Sequence, residues 1–264
     1  MHAFDFERPR TLDEAVKALA SEDAQALGGG QTLIPTLKQR LAAPAKLVSL
    51  AAIDEIRGIC TGDDGSLCMG GATTHAEVAA GVADRYPALA GLAEGIGDPA
   101  VRNRGTIGGS LANNDPAACY PAAVLGSGAT VVTNTRRIAA DDFFAGLFET
   151  VLEEGELITE LRFPVPDRAA YAKFAQPASR FALVGVFVAW FGGGVRVAVT
   201  GASEEGVFRW TDAEERLSAE FSAAALDGKA PPAEGMISDL HGSGAYRAHL
   251  VGVMTRRAVA SAAG

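Results

Sequence analysis

Two glycine-rich stretches constrain this chain more than any other feature. The first reads ALGGGQTLIP (26–35) and the second GTIGGSLANNDP (105–116). Glycine weakens regular structure, and Asn-Asn-Asp-Pro is turn chemistry. Such segments let a backbone come close to a ligand, and successive free N–H groups form an anion-binding concavity. Threonine and serine hydroxyls add donors. Two readings follow. The pair grips two phosphates from opposite sides without a metal, or they are unrelated tight turns in a chain with 31 glycines. Neither run is Gly-x-x-x-x-Gly-Lys-Ser/Thr, nor Gly-x-Gly-x-x-Gly between a strand and a helix. A triphosphate loop and the dinucleotide fingerprint are therefore excluded.

Composition narrows the class. The 264 residues are 48% hydrophobic, enough for one large domain or two moderate ones. A net charge of −9 disfavours nucleic acid and anionic lipid as partners. No apolar run reaches the length of a membrane span, and MHAFDFERPR lacks the basic-then-apolar pattern of a secretion signal, so the expectation is a cytoplasmic protein. Three scattered cysteines, Cys60, Cys68 and Cys119, neither pair as a disulfide framework nor supply an iron–sulfur cluster. Cys60 and Cys68 flank TGDDGSL, a turn signal, and are expected as buried thiols on facing strands.

The rest reads as mixed α and β. Thr11 and Glu14 form a capping box before Leu12, Ala15, Val16 and Leu19 at helical spacing. KLVSL and ATVVTN read as strands, and IRGICTGDDGSLCMGG as a hairpin. From residue 165 the character changes. FALVGVFVAWFGGGVRVAVTGAS reads as two apolar strands around a glycine turn. TDAEERLSAEF is an amphipathic helix capped by Thr211 or Asp212, and GAYRAHLVGVMTRRAVAS a terminal helix.

An ordered set of segments then resembles a known family. GGGQTLIPTLKQRLAAP (28–44), GGATTHAEV (70–78), VRNRGTIGGSLANNDPAACYPA (101–122), ELITELRFP (156–164), KFAQPASRFALVGV (173–186) and YRAHLVGVMTRRAV (246–259) run in the order and spacing of the flavin subunit of molybdenum hydroxylases. The resemblance covers essentially the whole chain. It implies an α+β fold: a two-subdomain FAD-binding domain of the vanillyl-alcohol-oxidase (PCMH) type over 1–164 (subdomains about 1–56 and 57–164), then a small α+β domain with a three-stranded sheet over 165–264. It implies non-covalent FAD in an oxidoreductase subunit. The molybdenum cofactor and the iron–sulfur clusters would lie only in partners: a large molybdopterin-binding subunit and a small 2Fe-2S subunit, in a dimer of heterotrimers. Electrons would pass from those clusters to an external acceptor. The rival is a stand-alone flavin oxidoreductase of the same superfamily.

Residue by residue, the resemblance places Gly28, Gly29, Gly30, Gln31 and Thr32 on the FAD pyrophosphate, with Leu33 lining the flavin pocket. Thr106, Gly108, Gly109 and Ser110 grip the same diphosphate from the other side, through main-chain donors and the two hydroxyls. Asn113 and Asp115 fall to the ribityl or adenosine side, Ile96 to the adenine side, and Ile158 and Thr159 to adenine and ribose. Some relatives carry a lysine near the flavin ring at the position of Ala175; Lys173, two residues earlier, is the candidate here. Phe181 stands where some relatives put a tyrosine against the ring. Cys119 replaces a common aspartate and is expected only to pack, and His75 is more a structural residue than a cofactor contact. No general base or nucleophile set is present, and an exposed apolar patch for partner docking is expected, with the terminal helix around 246–258 as its candidate.

Overall fold

The computed structural model describes all 264 residues. Its first sheet has three parallel strands, with Lys46–Ser49 between Asp5–Glu7 and Ala24–Leu27. Parallel neighbours need crossovers, and the helices Leu12–Leu19 and Leu33–Lys38 supply them. The first helix starts at the expected capping box: Thr11 accepts from the Glu14 N–H, and Glu14 reaches back to the N–H of Thr11.

The second sheet is antiparallel and five-stranded. Ile158–Phe163 is its centre, flanked by Leu67–Gly70 and then Ile59–Thr61 on one side, and by Thr130–Thr133 and then Arg137–Ala139 on the other. Five helices intervene between Gly70 and Thr130. One of them, Tyr120–Ser127, buries all its residues. A helix apolar all round must be enclosed, and this one lies against the third sheet, where Gly126 abuts Phe187 and Ala198.

The third sheet is an antiparallel meander of Arg168–Ala175, Ala182–Phe191, Gly194–Ser203 and Gly206–Arg209. It has four strands rather than three. The fourth is short because pairing with Gly194–Ser203 breaks between Val199 and Ser203, around Gly201 at φ +84°. The strand spans only four residues, Gly206–Arg209, too few for an apolar alternation to read as a strand from the sequence. Strand Ala182–Phe191 serves two cores by its period of two. Phe187 and Ala189 join the cluster built on Tyr86, Tyr120 and Phe163, while Val184, Val186 and Val188 join one with Trp210, Val251 and Met254. A third, smaller cluster holds Ala15, Val48, Ile53 and Ile56 under the first sheet.

Other expectations change. The helix Thr211–Ala219 begins after Trp210, with no side-chain cap, because an indole at the cap position is a donor only. Glu214 in its first turn accepts from the Val197 N–H and from Arg209. Cys60 and Cys68 do pair across the hairpin, but Cys60 is exposed, lying on an edge strand. The terminal helix Gly244–Ala263 buries its apolar face on the third sheet's core. It leaves Tyr246 exposed and offers no continuous patch. No helix is long and apolar enough to cross a membrane.

Candidate functional site

The glycine run after strand Ala24–Leu27 does not continue the sheet. Gly30 sits at φ +72°, a conformation that favours glycine, and turns the chain into helix Leu33–Lys38. From Gly28 through Thr32 no main-chain N–H has an acceptor within the chain. The second run is different. Gly108 and Gly109 lie in helix Ile107–Asn113, and the turn starts only at Asn114, with φ 40°. Its N–H groups are occupied: Ile107 donates to Thr73 O (3.0 Å), Gly108 to Gly71 O (2.9 Å), Gly109 to Thr106 Oγ1 (3.1 Å) and Ser110 to Thr106 O (3.0 Å). Of the expected main-chain donors over 106–110, only the Thr106 N–H has no acceptor within the chain. This segment offers hydroxyls and close approach, because a capped helix start consumes its amides.

The two runs touch. A Cβ on Gly29 would fall 2.0 Å from Arg104 O and 2.5 Å from Gly105 Cα, and one on Gly28 would fall 3.0 Å from Thr106 Oγ1. Gly71 closes the stack, since a Cβ on Gly108 would meet its carbonyl oxygen at 2.6 Å. Beside this contact opens a cleft of about 550 Å³, within the usual range for ligand sites. Its wall includes Gly28, Gly29, Gly30, Gln31, Thr32 and Leu33, then Ile96, Thr106, Gly108, Gly109, Ser110, Asn113 and Asp115, and finally Ile158, Lys173 and Phe181. Thr159 is the exception. Its hydroxyl donates to Val132 O (3.1 Å), because neighbouring residues on a strand face opposite ways.

Several of these side chains are already engaged. Asp115 Oδ1 accepts from the Ala117 N–H (2.8 Å), the turn role. Lys173 Nζ donates to Gly95 O (2.7 Å) and Arg180 O (3.1 Å) and contacts Cys119 Sγ at 3.6 Å. An ammonium has three donors, so Lys173 lends the cleft its charge rather than a free hydrogen bond. Phe181 is half exposed at the rim, next to Arg180 at φ 62°.

Residues beyond the sequence-derived set also line the wall, notably Gly71, His75, Gly105, Cys119, Glu156 and Arg180. The GGATTH run carried the only signal for His75. Its ring is 5% exposed, its Nδ1 is buried without a partner, and it sits 5.3 Å from Tyr120, centroid to centroid. Burial first, and then the Arg102 charge, bring its pKa down to about 4. A base with a depressed pKa stabilises the fold fully above its unfolded pKa and loses that contribution as pH falls. We expect His75 to make the protein lose on the order of 3 kcal/mol between pH 6.5 and 4. A His75→Gln variant should show a shallower fall of melting temperature over that interval.

Glu156 anchors another part of the wall. It accepts from Thr133 Oγ1 (2.6 Å), Thr135 Oγ1 (2.9 Å), Arg136 (2.9 Å) and the Glu153 N–H (2.9 Å). The Arg136 guanidinium chiefly holds its carboxyl far below the ordinary value, against the effect of burial. Glu156→Gln should cost about 2 kcal/mol at pH 7. Because the depressed carboxylate stabilises only above its unfolded pKa, the gap between variant and wild type should close as pH drops below 4.5, read by thermal melts.

FAD is tested against this wall by its own features. Five unpaired N–H groups beside the Thr32, Thr106 and Ser110 hydroxyls match diphosphate oxygens. The stacked glycines leave the close approach that a Cβ would fill, and the orphaned His75 Nδ1 belongs to the same wall. The residues fit. A glycine-walled cleft between a small parallel sheet and an antiparallel one, backed by a C-terminal meander, defines a flavoprotein component of oxidoreductases. Residues 2–166 match the family described as the FAD binding domain in molybdopterin dehydrogenase, and the chain belongs to that family.

Individual relatives extend the match to nearly the whole chain. The carbon monoxide dehydrogenase medium chain of Hydrogenophaga pseudoflava is 32% identical, covering 98% of this chain and 96% of its own. The nicotine 6-hydroxylase medium subunit of Paenarthrobacter nicotinovorans is 33% identical over 98% and 97%. Among solved structures, the Cu,Mo-CO dehydrogenase in its cyanide-inactivated form superposes with a TM-score of 0.88 at 32% identity, over 99% of this chain and 98% of that one. Quinoline 2-oxidoreductase from Pseudomonas putida 86 gives 0.88 at 32%, over 99% and 97%. The fold is that of these medium subunits, and the chain is a dehydrogenase component.

Proposed function

We propose that this chain is the electron-transfer subunit of a cytoplasmic molybdenum hydroxylase complex. It takes electrons from iron–sulfur clusters of a small partner subunit and delivers them to an external acceptor, while a large subunit oxidises the substrate at molybdenum. The assembly would be a dimer of heterotrimers. FAD, when bound, supplies the chemistry that joins one-electron supply to a two-electron acceptor. The chain's own residues bind and orient it, non-covalently. Gly28–Thr32 present their N–H groups to the diphosphate, Thr106 and Ser110 add hydroxyls, Ile96 and Ile158 pack apolar surface, and Lys173 sets a positive charge in the wall. Asn113 and Asp115 face the ribityl or adenosine side, with Leu33 and Phe181 against the ring region.

The single observation behind this reading is the contact of the two glycine segments at one cleft with free amides on one side. Lys173 Nζ and Cys119 Sγ meet at 3.6 Å in the wall, but Lys173 also donates to two main-chain carbonyls, Gly95 O and Arg180 O, which suits a lysine that holds the wall together more than one that activates the thiol. Relatives named for carbon monoxide, nicotine, glyceraldehyde and caffeine lie at 32–34% identity, so we place the choice of substrate outside this chain.

The test uses the chain alone and co-expressed with its partners. Flavin that comes free on acid precipitation, together with co-purification of molybdopterin and 2Fe-2S subunits, is the expected result. Rapid oxidation of NADPH by the isolated chain would favour the stand-alone oxidoreductase instead, and a flavin retained after denaturation would overturn non-covalent binding.

A further inference from the structure

On the second sheet, away from the glycine stack, three chemically matched side chains converge. Cys60 and Cys68 face each other in register on adjacent strands, and Glu160 comes from the next strand. One ligand atom from each lies within 4.8 Å of the others. Cys68 is buried at 2% exposure, while Cys60 opens to solvent.

We propose that Cys60, Cys68 and Glu160 form a binding site for one thiophilic divalent cation of the zinc or cadmium type, with solvent in the fourth position. Two sulfurs and a carboxylate oxygen suit such an ion, which prefers four tetrahedral ligands of soft and borderline character. Two thiolates on one tetrahedral zinc sit roughly 3.8 Å apart, so the cluster tightens by about an ångström at most, within the play of side-chain rotamers.

Charge supports the assignment. Arg162, directly opposite Cys68, donates to Glu160 Oε1 at 2.5 Å. Two thiolates and the carboxylate carry three negative charges, which the guanidinium and a divalent ion neutralise together. Arg162 engages one carboxylate oxygen and leaves the other for the ion. A second layer is also present. Ser66 Oγ contacts Cys68 Sγ at 3.6 Å and donates to Asp64 Oδ1 at 2.6 Å, orienting the buried sulfur's neighbour.

The site has a route to the cleft wall. Gly71 follows Cys68 by three residues and Ile158 precedes Glu160 by two, and both line the cleft. The separation along the strands is about 10 Å for Cys68 to Gly71 and about 7 Å for Glu160 to Ile158, so that the site's loss should leave the cleft's own contacts intact.

Equilibrium dialysis of the full chain against Cd²⁺ in a phosphine-reduced buffer, with ultraviolet thiolate-to-metal charge transfer as the second readout, tests this. We expect one ion per chain. Affinity should fall about 100-fold in Cys60→Ser, an exposed position where folding is not at risk, and about tenfold in Glu160→Gln. Both variants should keep wild-type flavin content. Sub-stoichiometric binding, a Cys60→Ser protein that binds Cd²⁺ like wild type, or sulfurs found joined to each other after purification in excess Zn²⁺ would overturn the proposal.

Discussion

Replacing Gly29 by alanine should strip the protein of its flavin. The new Cβ would fall 2.0 Å from Arg104 O and 2.5 Å from Gly105 Cα, both backbone, so no side chain can swing aside. The two segments must part, at a cost of about 1–3 kcal/mol for overpacking. Parting them displaces the free amides from Gly28 to Thr32 relative to the Thr106 and Ser110 hydroxyls. We expect FAD affinity to fall about tenfold or more, and melting temperature to fall about 5 °C. Flavin-to-protein absorbance ratio after gel filtration reads the first, and calorimetry the second. Gly91→Ala is the control. It lies on an exposed helical position with no atom within 4 Å of the added Cβ, and should stabilise by about 0.5–1 kcal/mol. If Gly29→Ala keeps wild-type flavin content, the glycine contact is not part of the cofactor site.

The second large effect lies in the C-terminal unit. Arg247 is 4% exposed, yet it ties three segments together. Its guanidinium donates to Leu183 O (2.8 Å), Gly201 O (2.7 Å) and Asp239 Oδ2 (2.8 Å). Arg247→Met fills similar volume but leaves two carbonyls unmet, and should cost about 3–5 kcal/mol. Melting temperature should drop by about 10 °C. Arg247→Lys should recover only part of this, since a single ammonium cannot match a planar fork aimed at separated acceptors. Desolvation raises the Asp239 carboxyl, but the His241 N–H and Arg247 outweigh it and hold it below its ordinary value. Its share of stability is therefore present above the unfolded pKa and fades as pH falls through the folded one. A Met variant that melts like wild type would show that the three acceptors are satisfied by solvent.

What the amino-acid order determined by itself was local and periodic. The capping box at Thr11 and Glu14, the Cys60–Cys68 hairpin and the long apolar strands of the third sheet follow from side-chain spacing and turn chemistry within a few residues. The side-chain-poor character of 28–32 and 105–110 was equally legible, and all the residues that the family pattern pointed to except Thr159 line the cleft. Tertiary structure alone decided which glycine run keeps its amides free. Thr106 and the carbonyls of Thr73 and Gly71 claim those of the second run, and no spacing in the chain announces an acceptor contributed by a segment more than thirty residues away. It also decided that Thr159 turns out of the cleft, that Lys173 spends its donors on Gly95 and Arg180, and that three strands bring Cys60, Cys68 and Glu160 together. The physical reason is common to all of them. Propensity and periodicity act along the chain, whereas hydrogen-bond occupancy and ligand convergence depend on distances that only the folded packing sets.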